Sequence, residues 1–166
     1  MILGMSLATF TTLHVIISLI AIAVGLVVVY GMVGSNPMGR WTALFLLATI
    51  LTSVTGFFFP FAHLLPSHIL GLISLVVLAI ALFARYGRHL DGAWRWIYAS
   101  TAVLALYLNV FVLVVQGFLK VPALHALAPT QGEPPFAIAQ TVVLILFVLV
   151  GALAVWKFHP EQLRAV

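Results

Sequence analysis

The side chains in this sequence that could bind a metal or a redox cofactor are imidazoles and carboxamides. The chain has six histidines, no cysteine and three acidic residues in 166 positions. Without cysteine it offers no disulfide, iron–sulfur cluster or thiol nucleophile. Imidazole nitrogens bind haem iron, zinc or copper, and amide groups can hydrogen-bond a quinone carbonyl. The candidate site residues are His14, His63, His68, Asn109, Gln116 and Gln140.

The composition places these residues in a membrane protein. Hydrophobic residues make up 64% of the sequence and charged residues 6%, whereas about 25% of residues are charged in soluble domains. The net charge of +4 comes from basic residues that separate apolar runs and do not form a block. Nucleic acid is therefore not expected as a partner. The lipid bilayer is the expected partner, and we expect a bacterial-type inner (plasma) membrane location.

Five apolar runs predict an all-α integral membrane protein, a five-transmembrane-helix bundle forming one domain over residues 1–166. A helical span needs about 20 apolar residues, and the predicted spans lie near 11–32, 41–60, 67–85, 95–118 and 135–156. The first run lacks the basic start of a signal peptide, so we expect this span to be retained. In the longest connection we expect either an interfacial helix from about Pro122 to Leu127 or a rigid proline-rich tether.

The distribution of basic residues predicts the orientation of the bundle. With five spans, six of the seven basic residues share one side of the membrane and Lys120 lies alone on the other. The positive-inside rule makes the six-residue side cytoplasmic, so the N-terminus is outside and the C-terminus is cytoplasmic. All four tryptophans lie near the predicted cytoplasmic boundary, where indole rings are enriched. The six basic residues are Arg40, Arg85, Arg88, Arg95, Lys157 and Arg164.

Small and polar residues recur on one face of each predicted span. On the first span, His14, Ser18, Ala21 and Gly25 follow helical spacing. Such faces are typical of helix packing in membranes, where small residues allow close approach and polar side chains hydrogen-bond between helices. The corresponding residues of the later spans are Thr49, Ser53, Gly56 and Pro60; His68, Gly71 and Ser74; Thr101, Ala105, Asn109 and Gln116; and Gln140 and Gly151.

A b-type haem ligated by His14 and His68 is the most specific hypothesis. Both residues lie in the outer third of the predicted bundle, close to aromatic side chains, and two imidazoles are suitable axial ligands. If the first helix begins near Thr11, the two rings could meet; a start near Ser6 would place His14 deeper and hinder shared ligation. Such a cytochrome would exchange electrons with quinone, making the chain a membrane redox component. The residues available to hydrogen-bond the quinone are His63, Gln116 and Gln140.

Two other hypotheses use the same residues differently. A zinc or copper site could form from His14, His63 and His68, with His125 as a further ligand. Alternatively, the chain is a cofactor-free accessory or transport subunit whose polar residues only hold the helices together. A bundle of five helices is small, so a homo-oligomer or a larger membrane complex is expected. The sequence has no Walker loop, dinucleotide fingerprint, HExxH or GxSxG motif, so ATP-driven or hydrolytic activity would require a partner chain.

Overall fold

The computed structural model describes residues 2–59 and 66–160. In these ranges the regular structure is helical, which confirms the predicted all-α class. A π-helical segment, Phe83–Gly87, continues the third helix. His63 and the end of the predicted second span lie outside the described residues. The helices are α1 (Leu7–Val33), α2 (Gly39–Gly56), α3 (Pro66–Leu82), α4 (Trp94–Lys120), α5 (Pro122–Leu127) and α6 (Pro134–Lys157).

Four helical stretches of the described chain are long and apolar enough to cross a membrane, which supports a multi-pass membrane protein. They are Leu7–Val33, His68–Gly87, Trp94–Lys120 and Pro134–Lys157. The remaining predicted span corresponds to α2, which has 18 residues and includes Arg40 and five serine or threonine residues. These polar side chains lower its apolar character. A short helix, α5, is present at the position where one was expected between the last two spans.

The first helix begins four residues before the predicted start near residue 11. Ser6 is its N-cap, and the Ser6 hydroxyl accepts a hydrogen bond from the backbone N–H of Thr9 at 3.1 Å. Capping by a serine side chain satisfies one of the free amides of the first turn. At about 1.5 Å per residue, His14 therefore lies about 11 Å from the start of α1. This is the deeper of the two positions considered from the sequence.

Helices α1 and α2 pack against each other along the whole of α2. His14 contacts Thr55 at one end of the pair, and Gly25 lies against Phe45 further along. The numbering runs in opposite directions, so the two helices are antiparallel. A Cβ atom on Gly25 would lie 2.8 Å from Phe45 Cε2, which makes glycine necessary for this close approach.

The other helices complete a bundle around α4. Helix α3 packs on α2 and α4, and α6 packs on α4 and α1. The most deeply buried side chains cluster toward the end of the bundle that holds the last turn of α1 and the first turn of α4. They include Met32, Phe45, Tyr98 and Phe158. Only 6% of an 18-residue apolar stretch of α6 is buried, compared with 39% of the corresponding stretch of α1. Helix α6 therefore lies at the periphery.

Candidate functional site

His14 is held by a hydrogen bond to the neighbouring helix. Its Nδ1 atom lies 2.7 Å from the Thr55 hydroxyl oxygen. That hydroxyl has a single proton, which points to the carbonyl oxygen of Leu51 at 2.6 Å. The proton between the two side chains therefore belongs to His14 Nδ1, and the lone pair of the neutral ring lies on Nε2. The ring also meets Phe59 edge-on, with 5.2 Å between ring centres.

His68 lies on α3, against the opposite face of the end of α2. Its side chain is buried, and its ring centre is 5.8 Å from that of Phe57. One turn further along α3, Gly71 faces the Phe57 ring. One turn beyond Gly71, Ser74 accepts a hydrogen bond from Ser53 at 3.1 Å. These contacts fix the packing of α3 on α2.

The two histidines contact neighbouring residues at the end of α2. Thr55 contacts His14, and Phe57, which contacts His68, follows two residues later as the C-cap of the helix. Two residues of helical rotation place their side chains about 160° apart around the helix axis. The structure thus places both imidazoles at the same end of α2, on different faces of it.

The other candidate ligands are spread over the bundle. Within the part of the chain that the structure describes, no group of three His, Asp or Glu side chains could hold a metal ion. His125 lies on α5 and is exposed, with its Nδ1 atom 3.2 Å from the carbonyl oxygen of Phe118. His63, the third member of the proposed metal site, lies outside the described residues.

The amide side chains make helix-to-helix contacts at separate places. Asn109 donates from Nδ2 to the Thr49 hydroxyl at 3.3 Å, which joins α4 to α2. Gln140 donates from Nε2 to the carbonyl oxygen of Phe111 at 3.2 Å, which joins α6 to α4. Its Oε1 atom is buried without a hydrogen-bond partner among the described residues. Gln116 is exposed.

Two polar contacts near the loop before α6 were not predicted from the sequence. Gln131 donates from Nε2 to the carbonyl oxygen of Val115 at 2.9 Å, which anchors the loop on α4. Glu133 accepts a hydrogen bond from the Thr130 hydroxyl at 2.8 Å. This bond is the main reason why the pKa of Glu133 is lowered below its ordinary value. The sequence signal for this contact was the position of Glu133, three residues after Thr130 and just before Pro134.

A cluster at the other end of the bundle was also missed, because its arginine was interpreted only as a topology signal. Arg85 donates from Nη2 to the carbonyl oxygen of Pro37 at 3.0 Å. Its guanidinium lies 5.2 Å from the centre of the Tyr98 ring and 5.8 Å from that of Tyr86. Nearby, the backbone N–H of His159 donates to the Ser35 hydroxyl at 2.8 Å.

Comparison with known proteins identifies no relative for this arrangement. No protein-family model, curated protein or solved structure matches the chain.

Proposed function

We propose that the chain crosses the membrane five times, with its N-terminus outside and its C-terminus in the cytoplasm of a bacterial-type cell. The Arg85–Pro37 hydrogen bond puts these two residues on the same side of the bilayer. Helices α2 and α3 lie between them, so both must cross or neither can. Because α3 belongs to a stretch long enough to span, the contact supports α2 as the fifth span.

A second contact supports the same count. Ser35 follows α1 and His159 follows α6, and the two are hydrogen-bonded. An even number of crossings must separate them, which requires α2 together with α3, α4 and α6. Without α2 the seven basic residues would divide five against two, a weaker bias than six against one. The 18 residues of α2 extend about 27 Å, close to the thickness of a bilayer core.

Cysteine labelling tests this topology, since the natural chain has no cysteine and serves as the unlabelled control. We expect a membrane-impermeant maleimide to label Thr130→Cys in intact cells. Asn36→Cys and Ala93→Cys, both at exposed positions, should be labelled only after the membrane is permeabilised. If α2 does not cross, Asn36→Cys and Ala93→Cys will lie on opposite sides of the membrane, and one of the two will be labelled in intact cells while the other is not.

For the activity, we propose a cofactor-free accessory subunit of a membrane assembly, in preference to a redox protein. The observation that carries this proposal is that the polar side chains of the spans bind neighbouring helices of the same chain. His14 binds α2, Asn109 binds α2, and Gln140 binds α4. These residues act as helix-packing groups. The exposed apolar face of α6 is the surface available to another subunit.

Haem-dependent electron transfer with quinone is the second candidate, because one observation favours it. The Nδ1–H tautomer of His14 leaves its Nε2 lone pair available to iron, beside the aromatic ring of Phe59. His68 contacts a different face of the end of α2, so shared ligation of one iron would require the packing there to change.

Visible absorption spectra of the purified protein, with haem supplied during expression, separate the two candidates. We expect no absorption band in air or after addition of dithionite. A Soret band with sharp α and β bands after reduction would overturn the accessory-subunit proposal. In that case His14→Ala or His68→Ala should abolish the bands, while metal analysis of the same sample tests for zinc or copper.

The proposed assembly has its own test in native membranes. A photo-crosslinker attached to Leu146→Cys, on the exposed face of α6, should give a discrete product containing a second protein chain. The matched control is Ala105→Cys, which is buried in α4 and should give none. If Leu146→Cys crosslinks only to lipid, α6 has no protein partner and the proposal is wrong.

A further inference from the structure

An apolar groove runs between α4 and α6 on the surface of the bundle. It has a volume of about 390 Å³ and opens toward the space that lipid occupies in a membrane. Its floor lies where Gly151 faces Val103, and a Cβ atom on Gly151 would be 3.4 Å from Val103 Cγ1. The side chains along its walls include Ser100, Leu104, Tyr107, Leu144 and Val148.

Next to the groove, at the end of the same two helices, lies a second, more polar cavity. This cavity, of about 490 Å³, is lined by Gly92, Ala93, Arg95, Trp96 and His159. Trp96 lies four residues before Ser100 of the groove, and residues four apart occupy the same face of a helix. On the other side, Val155 of α6 lines the groove, and His159 follows just beyond the end of that helix. The two cavities are therefore neighbours along the same pair of helices.

The polar cavity carries positive charge. Arg95 donates from Nη1 to the carbonyl oxygen of Phe158 at 3.0 Å, which holds its guanidinium between the ends of α4 and α6. Arg88 precedes Arg95 by seven residues, and Lys157 precedes His159 by two. Asp91 is the one acidic residue there in the part of the chain that the structure describes, so cations predominate.

We infer that this surface binds an anionic phospholipid. The phosphate lies beside His159 at Arg95, whose positive charge attracts it, and one acyl chain lies in the groove. The groove extends from Ser100 to Tyr107, or about 11 Å along α4. This length fits within one leaflet, whose hydrocarbon is about 15 Å deep. Trp96 lies between the two parts, at the interfacial position that indoles prefer.

Native mass spectrometry of the delipidated full chain tests this inference, with phosphatidylglycerol and phosphatidylcholine added separately. We expect phosphatidylglycerol to bind more tightly, and Arg95→Gln to weaken its binding about fivefold. The charge-matched control is Arg40→Gln, which removes an exposed arginine from α2 and should leave binding unchanged. Equal weakening in both variants would mean that only net charge matters, and the site would be refuted.

A second pair of variants tests the acyl-chain groove without altering charge. Ala152 is exposed and lines the groove, so Ala152→Phe should fill it and reduce phosphatidylglycerol binding severalfold. Leu146→Phe adds an aromatic ring on the opposite face of α6 and should have no effect. This pair remains informative if loss of the Arg95–Phe158 hydrogen bond prevents Arg95→Gln from folding. Unchanged binding in Ala152→Phe, or equal affinity of the natural chain for both lipids, would overturn the inference.

Discussion

Arg85 binds Pro37 through a hydrogen bond of 3.0 Å from Nη2 to the backbone carbonyl oxygen, and so joins the end of α3 to the start of α2. The same guanidinium lies over the ring of Tyr98 at the start of α4. One cation thus connects three helices at one end of the bundle. Its planar shape suits both contacts, since guanidinium groups donate in several directions and stack on aromatic faces.

We predict that Arg85→Lys destabilises the protein although the charge is conserved. A lysine cannot reproduce the stacking on Tyr98 together with the hydrogen bond to Pro37, and the loss should be about 1 to 2 kcal/mol. The measurement is the midpoint of unfolding in mixed micelles of sodium dodecyl sulfate. As a control, Arg40→Lys changes an exposed arginine and should alter stability by less than about 0.5 kcal/mol. Equal stability of the two variants would show that the Arg85 contacts contribute nothing.

Gly25→Ala should be destabilising because Gly25 lies where α1 meets both α2 and α4. A Cβ atom there would come within 2.6 Å of Leu106 Cδ1 and 2.8 Å of Phe45 Cε2. Overpacking of this kind costs about 1 to 3 kcal/mol, measurable in the same unfolding assay.

The matched control for Gly25→Ala is Gly117→Ala, in the last turns of α4. Its Cβ atom would meet Leu124 Cδ1 at 3.5 Å, an ordinary contact. Since alanine favours helix more than glycine, Gly117→Ala should be neutral or slightly stabilising. A similar loss of stability in both variants would mean that helix propensity or backbone flexibility, and not close packing, explains the effect at Gly25.

Helical periodicity and side-chain size were enough to predict much of the packing faces of the spans. Ala21, Gly25, Thr49 and Ser53 were all assigned to inner faces from spacing alone, and all four are buried. Gln116, assigned in the same way on the fourth span, is exposed. The signal is strong because small residues must recur on the face where helices touch. The start of α1 at Leu7, after the Ser6 cap, agrees with the second of the two helix starts that the sequence allowed.

The relation between His14 and His68 could not be predicted from the sequence. Spacing gives the face and approximate depth of each residue on its own helix, but it does not say which residue of a neighbouring helix each ring contacts. That depends on long-range packing, notably Phe57 against Gly71 and Thr55 against His14. The role of Arg85 was missed for a similar reason, since its partners Pro37 and Tyr98 are distant in sequence.

The His14–Thr55 hydrogen bond should appear as a coupling energy between the two residues. A double-mutant cycle with His14→Ala and Thr55→Val should give about 0.6 kcal/mol, with an upper limit of about 1.7 kcal/mol, as for other hydrogen bonds between membrane helices. The comparison cycle pairs His14→Ala with Thr12→Val, since the Thr12 hydroxyl donates to its own helix at Ala8. Coupling in that cycle should be close to zero. Zero coupling in both cycles would remove His14 from the contacts that hold α1 to α2.

Thr130→Val should raise the pKa of Glu133. In the folded protein the Thr130 hydroxyl donates to the Glu133 carboxylate, and this bond is the main cause of the lowered pKa. Hydrogen bonds to the charged form stabilise that form. Carbon-13 NMR titration of labelled glutamate in micelles would measure the change, and Glu161→Gln leaves Glu133 as the single glutamate signal. Thr141→Val, at an exposed position on α6, is the control and should leave the titration unchanged.

The lowered pKa also fixes the sign of the pH dependence of the loop before α6. Because Glu133 has a lower pKa in the folded state than in the unfolded state, its contribution to stability is present above the unfolded pKa. It is lost as the pH falls through the folded pKa. Acidification should therefore loosen the 130–133 turn in the natural chain and have less effect in Thr130→Val, measurable as hydrogen exchange at the amides of Thr130 and Gly132. Equal exchange in both proteins across this pH range would show that the Glu133 carboxylate does not hold the turn.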